Sequence, residues 1–110
     1  MTQHYPKLPN KYSAGALRNW LRKLPIGSIV GYAGTREACP VAYWLSDVTG
    51  KRVEVDYDHI ILDGILGYET PDWVERFEKK VDKRMDGEVV RRRQALNLLT
   101  RAERATEPDW

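Results

Sequence analysis

Apolar positions recur along this chain at two spacings, one helical and one extended. Leu17, Trp20, Leu21 and Leu24 fall at i, i+3, i+4 and i+7, one stripe of a helix, with Arg18, Arg22 and Lys23 pointing elsewhere. Ser13 is a suitable N-cap for it, and Pro25 and Gly27 end it. Ser28 to Ala33, bounded by Gly27 and Gly34, predicts a short strand built on Ile29, Val30 and Tyr32 and weakened by Gly31. A second helix is predicted within Thr35 to Gly50. Pro40 suits its first turn, Val41, Trp44, Leu45 and Val48 repeat the helical stripe, and Gly50 stops it.

Val53, Val55 and Tyr57 then alternate with Arg52, Glu54, Asp56 and Asp58, which predicts a strand over 52–58 with one apolar and one charged face. Ile60 to Leu62 either extends it or forms a further strand after a turn, and Asp63 to Glu69 reads as a glycine-containing loop. Thr70-Pro71 supplies a cap and an initial proline for a third helix with Trp73, Val74, Phe77, Val81 and Met85 along one side. Glu75 and Lys79 form an i, i+4 pair on it. Asp86-Gly87 breaks this helix, and a fourth runs from about Val90 to Ala105, burying Ala95, Leu96, Leu98, Leu99 and Ala102.

The layout implies an α+β domain of about four helices packed on a small two- to three-stranded sheet. The two clear strands flank a helix, so a parallel right-handed crossover and a short antiparallel ribbon are both compatible with it. Residues 1–12, with Pro6 and Pro9 and no periodicity, read as a flexible arm, 13–105 as one globular domain and 106–110 as a frayed tail. The expected core joins Trp20, Trp44, Trp73 and Phe77 to Leu17, Leu21, Leu45, Val53, Val55, Val81, Leu96 and Leu99.

Composition narrows the class. A chain of 110 residues, 42% hydrophobic and 31% charged, has the length of one domain and enough apolar material, four tryptophans and six tyrosines included, to fold. The uncharged stretch from Pro25 to Thr35 is far short of the ~20 apolar residues of a membrane span. Met1 to Asn10 has no apolar run of signal-peptide type, and Cys39 is the single cysteine. The expectation is a cytoplasmic protein without an internal disulfide. The net charge of +2 conceals an asymmetry: residues 1–36 carry +6 and no acid, 37–88 carry −6 and 89–110 carry +2. Such a split points either to a polar partner or to ends and middle neutralising each other in the fold.

Four constellations carry candidate chemistry. Cys39 is the one candidate nucleophile, at a predicted helix start near Arg36, with His4 or His59 as conceivable bases. No histidine neighbours it in sequence, so the expected role is a small buried residue beside a helix-opening proline. Asp56, Asp58, His59 and Asp63 are the densest set of oxygen and nitrogen ligands, but they match no cation loop and read as a solvated strand face. Gly31 to Gly34 lacks the phosphate-loop and dinucleotide patterns and reads as close backbone packing. On the fourth helix, Arg93, Asn97, Arg101 and Arg104 fall within about 80° of one another, opposite the leucines, with Arg91 and Arg92 adding charge at its start. Arginine with asparagine is chemistry that contacts phosphates and base edges. The third and fourth helices also admit a helix-turn-helix reading, although the third is long for one. The competing reading is an antiparallel helix pair with a solvated basic face.

Leu24-Pro25, Val30-Gly31-x-Ala33-Gly34, Cys39-Pro40-x-Ala42-x-x-Leu45, Trp73-x-x-x-Phe77-x-x-x-Val81-Asp82 and Ala95-Leu96-x-Leu98-Leu99, in that order, resemble small bacterial and mobile-element proteins of unknown function. The resemblance spans about residues 17–100 and rests on packing motifs. It implies a phage or mobile-element accessory protein and no particular site. The expectation is therefore a non-enzymatic binding or regulatory protein, such as an inhibitor of a host defence complex, acting through a charged surface on a protein or nucleoprotein partner. Arg18, Arg22, Arg93, Asn97, Arg101 and Arg104 are the expected contact residues, and no cofactor or metal is implied. The alternative is a nucleic-acid-binding module using the basic C-terminal helix, and a Cys39-based enzyme is a third reading.

Overall fold

Local chemistry starts and stops each helix. In the computed structural model, which describes residues 5–85 and 88–104, α1 spans Ala14–Lys23. The Ser13 side chain accepts the Ala16 N–H at 3.2 Å, as an N-cap should. Helix α2 spans Pro40–Thr49, with proline in its first turn and Gly50 closing it in the left-handed region at φ 71°. Helix α3 spans Asp72–Met85, and its first bonds run from the Val74 and Glu75 N–H groups to the Pro71 carbonyl. Thr70 does not cap it. Its hydroxyl donates instead to the Asp56 carbonyl at 2.8 Å, tying the helix entry to a neighbouring turn. Helix α4 spans Arg92–Ala102, shorter at both ends than its apolar pattern predicts. The Asp86-Gly87 break and the tail from Thr106 lie outside the described residues.

Among the described residues, five strands form two antiparallel sheets, so the fold is α+β with four helices. Strand β1 (Ile29–Tyr32) pairs with β5 (Val89–Arg91), and β2 (Val53–Val55), β3 (His59–Leu62) and β4 (Leu66–Glu69) form a meander. Three expectations change here. The first strand pairs with neither the second nor a crossover neighbour, because β5, read from sequence as the start of the last helix, lies alongside it. The strand predicted over 52–58 ends at Val55, where Asp56 begins a turn closed by its N–H to the His59 carbonyl at 2.9 Å. The segment read as a loop is a hairpin. Leu62 pairs with Leu66, so Asp63, Gly64 and Ile65 make a three-residue connection, in which Asp63 and Gly64 both have positive φ, 52° and 72°, and the Ile65 N–H reaches the Leu62 carbonyl.

One core lies between these layers. Leu17 and Leu21 of α1, Val41, Trp44 and Leu45 of α2, Val74, Phe77 and Val81 of α3, and Ala95, Leu98, Leu99 and Ala102 of α4 are buried with Val30, Val53, Ile60 and Val90 of the strands. Trp20, Trp73 and Leu96 of the expected core are only half-buried at its margin, and Val48 is exposed. The residues expected as an arm are packed from Tyr5 onward. Leu8 joins the core, Lys7 bridges Glu69 at the edge of β4, and the Tyr5 ring stacks on His59 at 5.4 Å. An unpaired strand edge and an apolar leucine both gain from that docking. Among the described residues no helix is long and apolar enough to cross a membrane.

Trp44 has its ring 6.0 Å from Trp73 and 6.1 Å from Tyr12, and is fully enclosed. Trp44→Ala should cost about 3–5 kcal/mol, whereas half-buried Trp73 should cost less on the same change. Urea denaturation of both variants checks the order, and equal costs would mean that the margin and centre of the core are misassigned.

Candidate functional site

The basic residues singled out from sequence are divided by the fold into structural ties and exposed charges. Helices α1 and α4 pack together. Arg92 opens α4 by donating from Nε to the Leu21 carbonyl at 2.9 Å and from Nη2 to the Arg22 carbonyl at 3.5 Å. It thereby adds donors at the last turn of α1, where the Leu21 carbonyl already accepts the Leu24 N–H at 3.2 Å. Arg91 donates from Nη1 to the Gly27 carbonyl at 2.8 Å, and its backbone N–H is taken by the Gln94 side chain. These two arginines hold the corner between α1, β1 and α4. Arg18 is paired with Glu103 across the α1–α4 seam.

Arg22, Arg93, Asn97 and Arg104 are exposed, and Arg101 is half-buried. Arg93, Asn97 and Arg101 lie on α4, Arg104 follows its C-cap Glu103, and the backbone carbonyl of Arg22 at the end of α1 meets the first turn of α4 through the Arg92 contact. Among the described residues, no ion pair engages Arg22, Arg93 or Arg104, and Glu103, the acid beside them, is taken by Arg18. The helix-turn-helix reading does not survive the topology. β5 intervenes between α3 and α4 and pairs with β1, whereas that motif joins its helices by a short turn.

A second cluster surrounds Cys39, and sequence reasoning missed its main member. Glu78 of α3 is 4% exposed and accepts the Val41 N–H in the first turn of α2 through Oε1 at 3.3 Å. The Cys39 thiol donates to the Arg36 carbonyl at 4.0 Å and lies close enough to the same carboxyl for the two to influence each other's protonation. Desolvation, reinforced by the Asp82 charge one turn along α3, raises the Glu78 carboxyl to about 8. Burial, and then Glu78 itself, push the Cys39 thiol well above its ordinary value. A thiol so placed is scarcely ionised at neutral pH and is a poor nucleophile. Asp82 accepts the Gly34 N–H through Oδ1 at 2.8 Å and the Tyr57 hydroxyl through Oδ2 at 2.6 Å. These residues border a cleft of about 90 Å³ between Gly34–Arg36, Val55–Tyr57 and α3. The signal for Glu78 was available, since it falls between Val74 and Val81 on the apolar stripe of α3, where a carboxylate is out of place.

The aspartates that suggested ligands are separated in use. Asp56 pairs with Arg36 at 3.1 Å and lies 3.7 Å from His59 Nε2, while Asp63 accepts the Arg52 N–H and lies 3.7 Å from Lys51 Nζ. Asp58 contributes its carbonyl to the Thr70 N–H. Among the described residues no group of three or more His, Cys, Asp or Glu side chains could hold a metal ion. His59 is engaged by Tyr5 and Asp56, and His4 lies outside the described residues.

The fold and these sites define a small α+β domain with a cationic helix face and a buried acid–thiol cluster. Comparison with protein-family models, with curated proteins and with solved structures finds no match to the chain.

The raised Glu78 pKa sets a sign for pH dependence. Its carboxyl stays protonated in the folded chain up to about pH 8, whereas the ordinary value is 4.5. Stability present in full below about 4.5 is lost as pH rises toward 8, on the order of 1 kcal/mol per pH unit at the steepest. Urea denaturation across this window should show that decline, and Glu78→Gln should flatten it. A decline of the same slope in the variant would assign it to another group. Folded protein should also react slowly with iodoacetamide at pH 7 and rapidly once unfolded. Equal rates would contradict the buried thiol.

Proposed function

We propose that this is a non-enzymatic binding protein that uses the cationic face of α4 and the adjoining end of α1 against an acidic surface of a protein or nucleoprotein partner. The observation that carries the reading is the set of exposed arginines, Arg22, Arg93 and Arg104, with no ion-pair partner among the described residues, next to arginines that the fold does consume. An arginine kept in water beside Asn97 and Thr100 has five donors to offer a carboxylate or phosphate surface. Cys39 and Glu78 contribute to folding in this reading. They lock α2 onto α3, and the buried thiol and protonated acid suit packing better than catalysis. A phage or mobile-element accessory protein acting on a host complex is one protein of this kind, and the resemblance described above favours it.

Exposed charges steer association and set its salt dependence. The parent protein should therefore be retained on immobilised heparin, a sulfated polyanion, and be eluted by salt. The Arg22→Glu/Arg93→Glu/Arg104→Glu variant should keep its fold, since surface substitutions rarely cost more than ~0.5 kcal/mol each, and should elute at clearly lower salt. Circular dichroism checks the fold. An unchanged elution position in a folded variant would overturn the assignment of this face.

A further inference from the structure

The exposed surface of α1 has a second side, facing away from α4. There Lys11, Tyr12, Ala16, Asn19, Trp20 and Lys23 line a groove of about 410 Å³ whose far wall is Trp44 and Val48 of α2. Three features set it apart from an ordinary surface depression. First, its walls are aromatic and fixed. Trp20 donates from Nε1 to Asp47 Oδ2 at 2.7 Å, which holds the ring against α2, and Tyr12 meets Trp44 edge to face at 6.1 Å. Second, its lining contains two lysines and no acid. Lys11 Nζ stands 5.1 Å from the centre of the Tyr12 ring, a cation–π contact, and Lys23 is exposed in the last turn of α1. Third, an exposed Asn19 adds a polar side chain with hydrogen-bonding capacity to the lining.

We propose that this groove binds single-stranded nucleic acid, with a base against the Trp20–Tyr12 wall and the flanking phosphates at Lys11 and Lys23. Flat aromatic rings framed by cations suit an unstacked base on a polyanionic backbone, because every base has a face to stack and every linkage a charge to neutralise. Charge complementarity favours this occupant over a neutral apolar peptide, and the aromatic wall favours a single strand over a duplex, whose bases are already stacked. Asp47 is the acid next to the groove, and its carboxylate is committed to the Trp20 indole. The inference goes beyond the α4 face, because Lys11 and Lys23 belong to neither the Arg22 nor the Arg93–Arg104 surface.

The test is fluorescence anisotropy of a labelled 20-nucleotide oligothymidylate titrated with the full chain at low salt, beside a 20-base-pair duplex and an oligoglutamate peptide as competitors. The parent should bind the single strand, with tryptophan fluorescence quenched on binding, and unlabelled single strand should compete better than either alternative. Lys11→Glu/Lys23→Glu alters two exposed side chains and should weaken binding at least about tenfold with an unchanged circular dichroism spectrum, since each lost phosphate contact lowers affinity and its salt slope. Trp20→Phe keeps a ring but loses the Asp47 tie, and should reduce the quenching more than it reduces the salt slope. The Arg22/Arg93/Arg104 triple variant should retain most single-strand binding, which separates this groove from the α4 face. No binding by the parent, equal competition by the duplex or by oligoglutamate, or unchanged affinity in the double-lysine variant would each overturn the proposal.

Discussion

The structure depends on one close approach, that of strand β1 to the start of helix α2. A Cβ at Gly31 would lie 2.7 Å from the Pro40 nitrogen, 2.8 Å from the Ala38 carbonyl oxygen and 2.9 Å from the Cys39 carbonyl carbon, all backbone atoms that cannot step aside. Glycine at this position lets the Tyr32 N–H reach the Ala38 carbonyl at 2.7 Å, so the loop doubles back on the strand. From the other side α3 clamps the same segment through Glu78 on Val41 and Asp82 on Gly34. The Val55 N–H bonds to the Arg36 carbonyl and brings the three-stranded sheet to the same junction. Both sheets and two helices are therefore referenced to residues 31–41.

This junction explains why a carboxyl is buried in an otherwise apolar interface. The first N–H groups of α2 lack helical acceptors and face α3 rather than water. An apolar side chain at position 78 would leave the Val41 N–H without its partner, whereas a protonated carboxyl can accept from Val41 and engage the Cys39 thiol. The desolvation that raises its pKa is thus part of the same packing solution.

Charge is handled differently where α1 meets α4. Three consecutive arginines stand at the head of α4, and the middle one, Arg92, donates to the Leu21 and Arg22 carbonyls at the end of α1. Two of the three are consumed at the α1–β1–α4 corner, and Arg18 is neutralised by Glu103. The acid-free N-terminal third meets few of the acids of the middle segment directly: among the described residues, Arg36 pairs with Asp56, Trp20 donates to Asp47 and the Gly34 N–H donates to Asp82. The cations left over sit on the two exposed sides of α1, one continuous with α4 and the other bordering the aromatic groove.

Period and punctuation in the chain determined the helices by themselves: Ser13, Pro40 and Gly50 occupy the cap and turn positions their chemistry predicts, and the stripes of α1, α2 and α3 bury Leu17, Leu21, Trp44, Leu45, Phe77 and Val81. Such signals are local, set by backbone geometry within a turn or two. The Asp63-Gly64 hairpin was equally local and legible, though the short strand after it, interrupted by Gly67, hid the pattern. Only the tertiary structure decided that β1 pairs with β5, that Arg91 and Arg92 are ties while Arg93 is free to face water, and that Glu78 meets Val41 and Cys39. These facts join residues 37 to 71 positions apart, and helical phase records which way a side chain points from its own axis but not what stands opposite it.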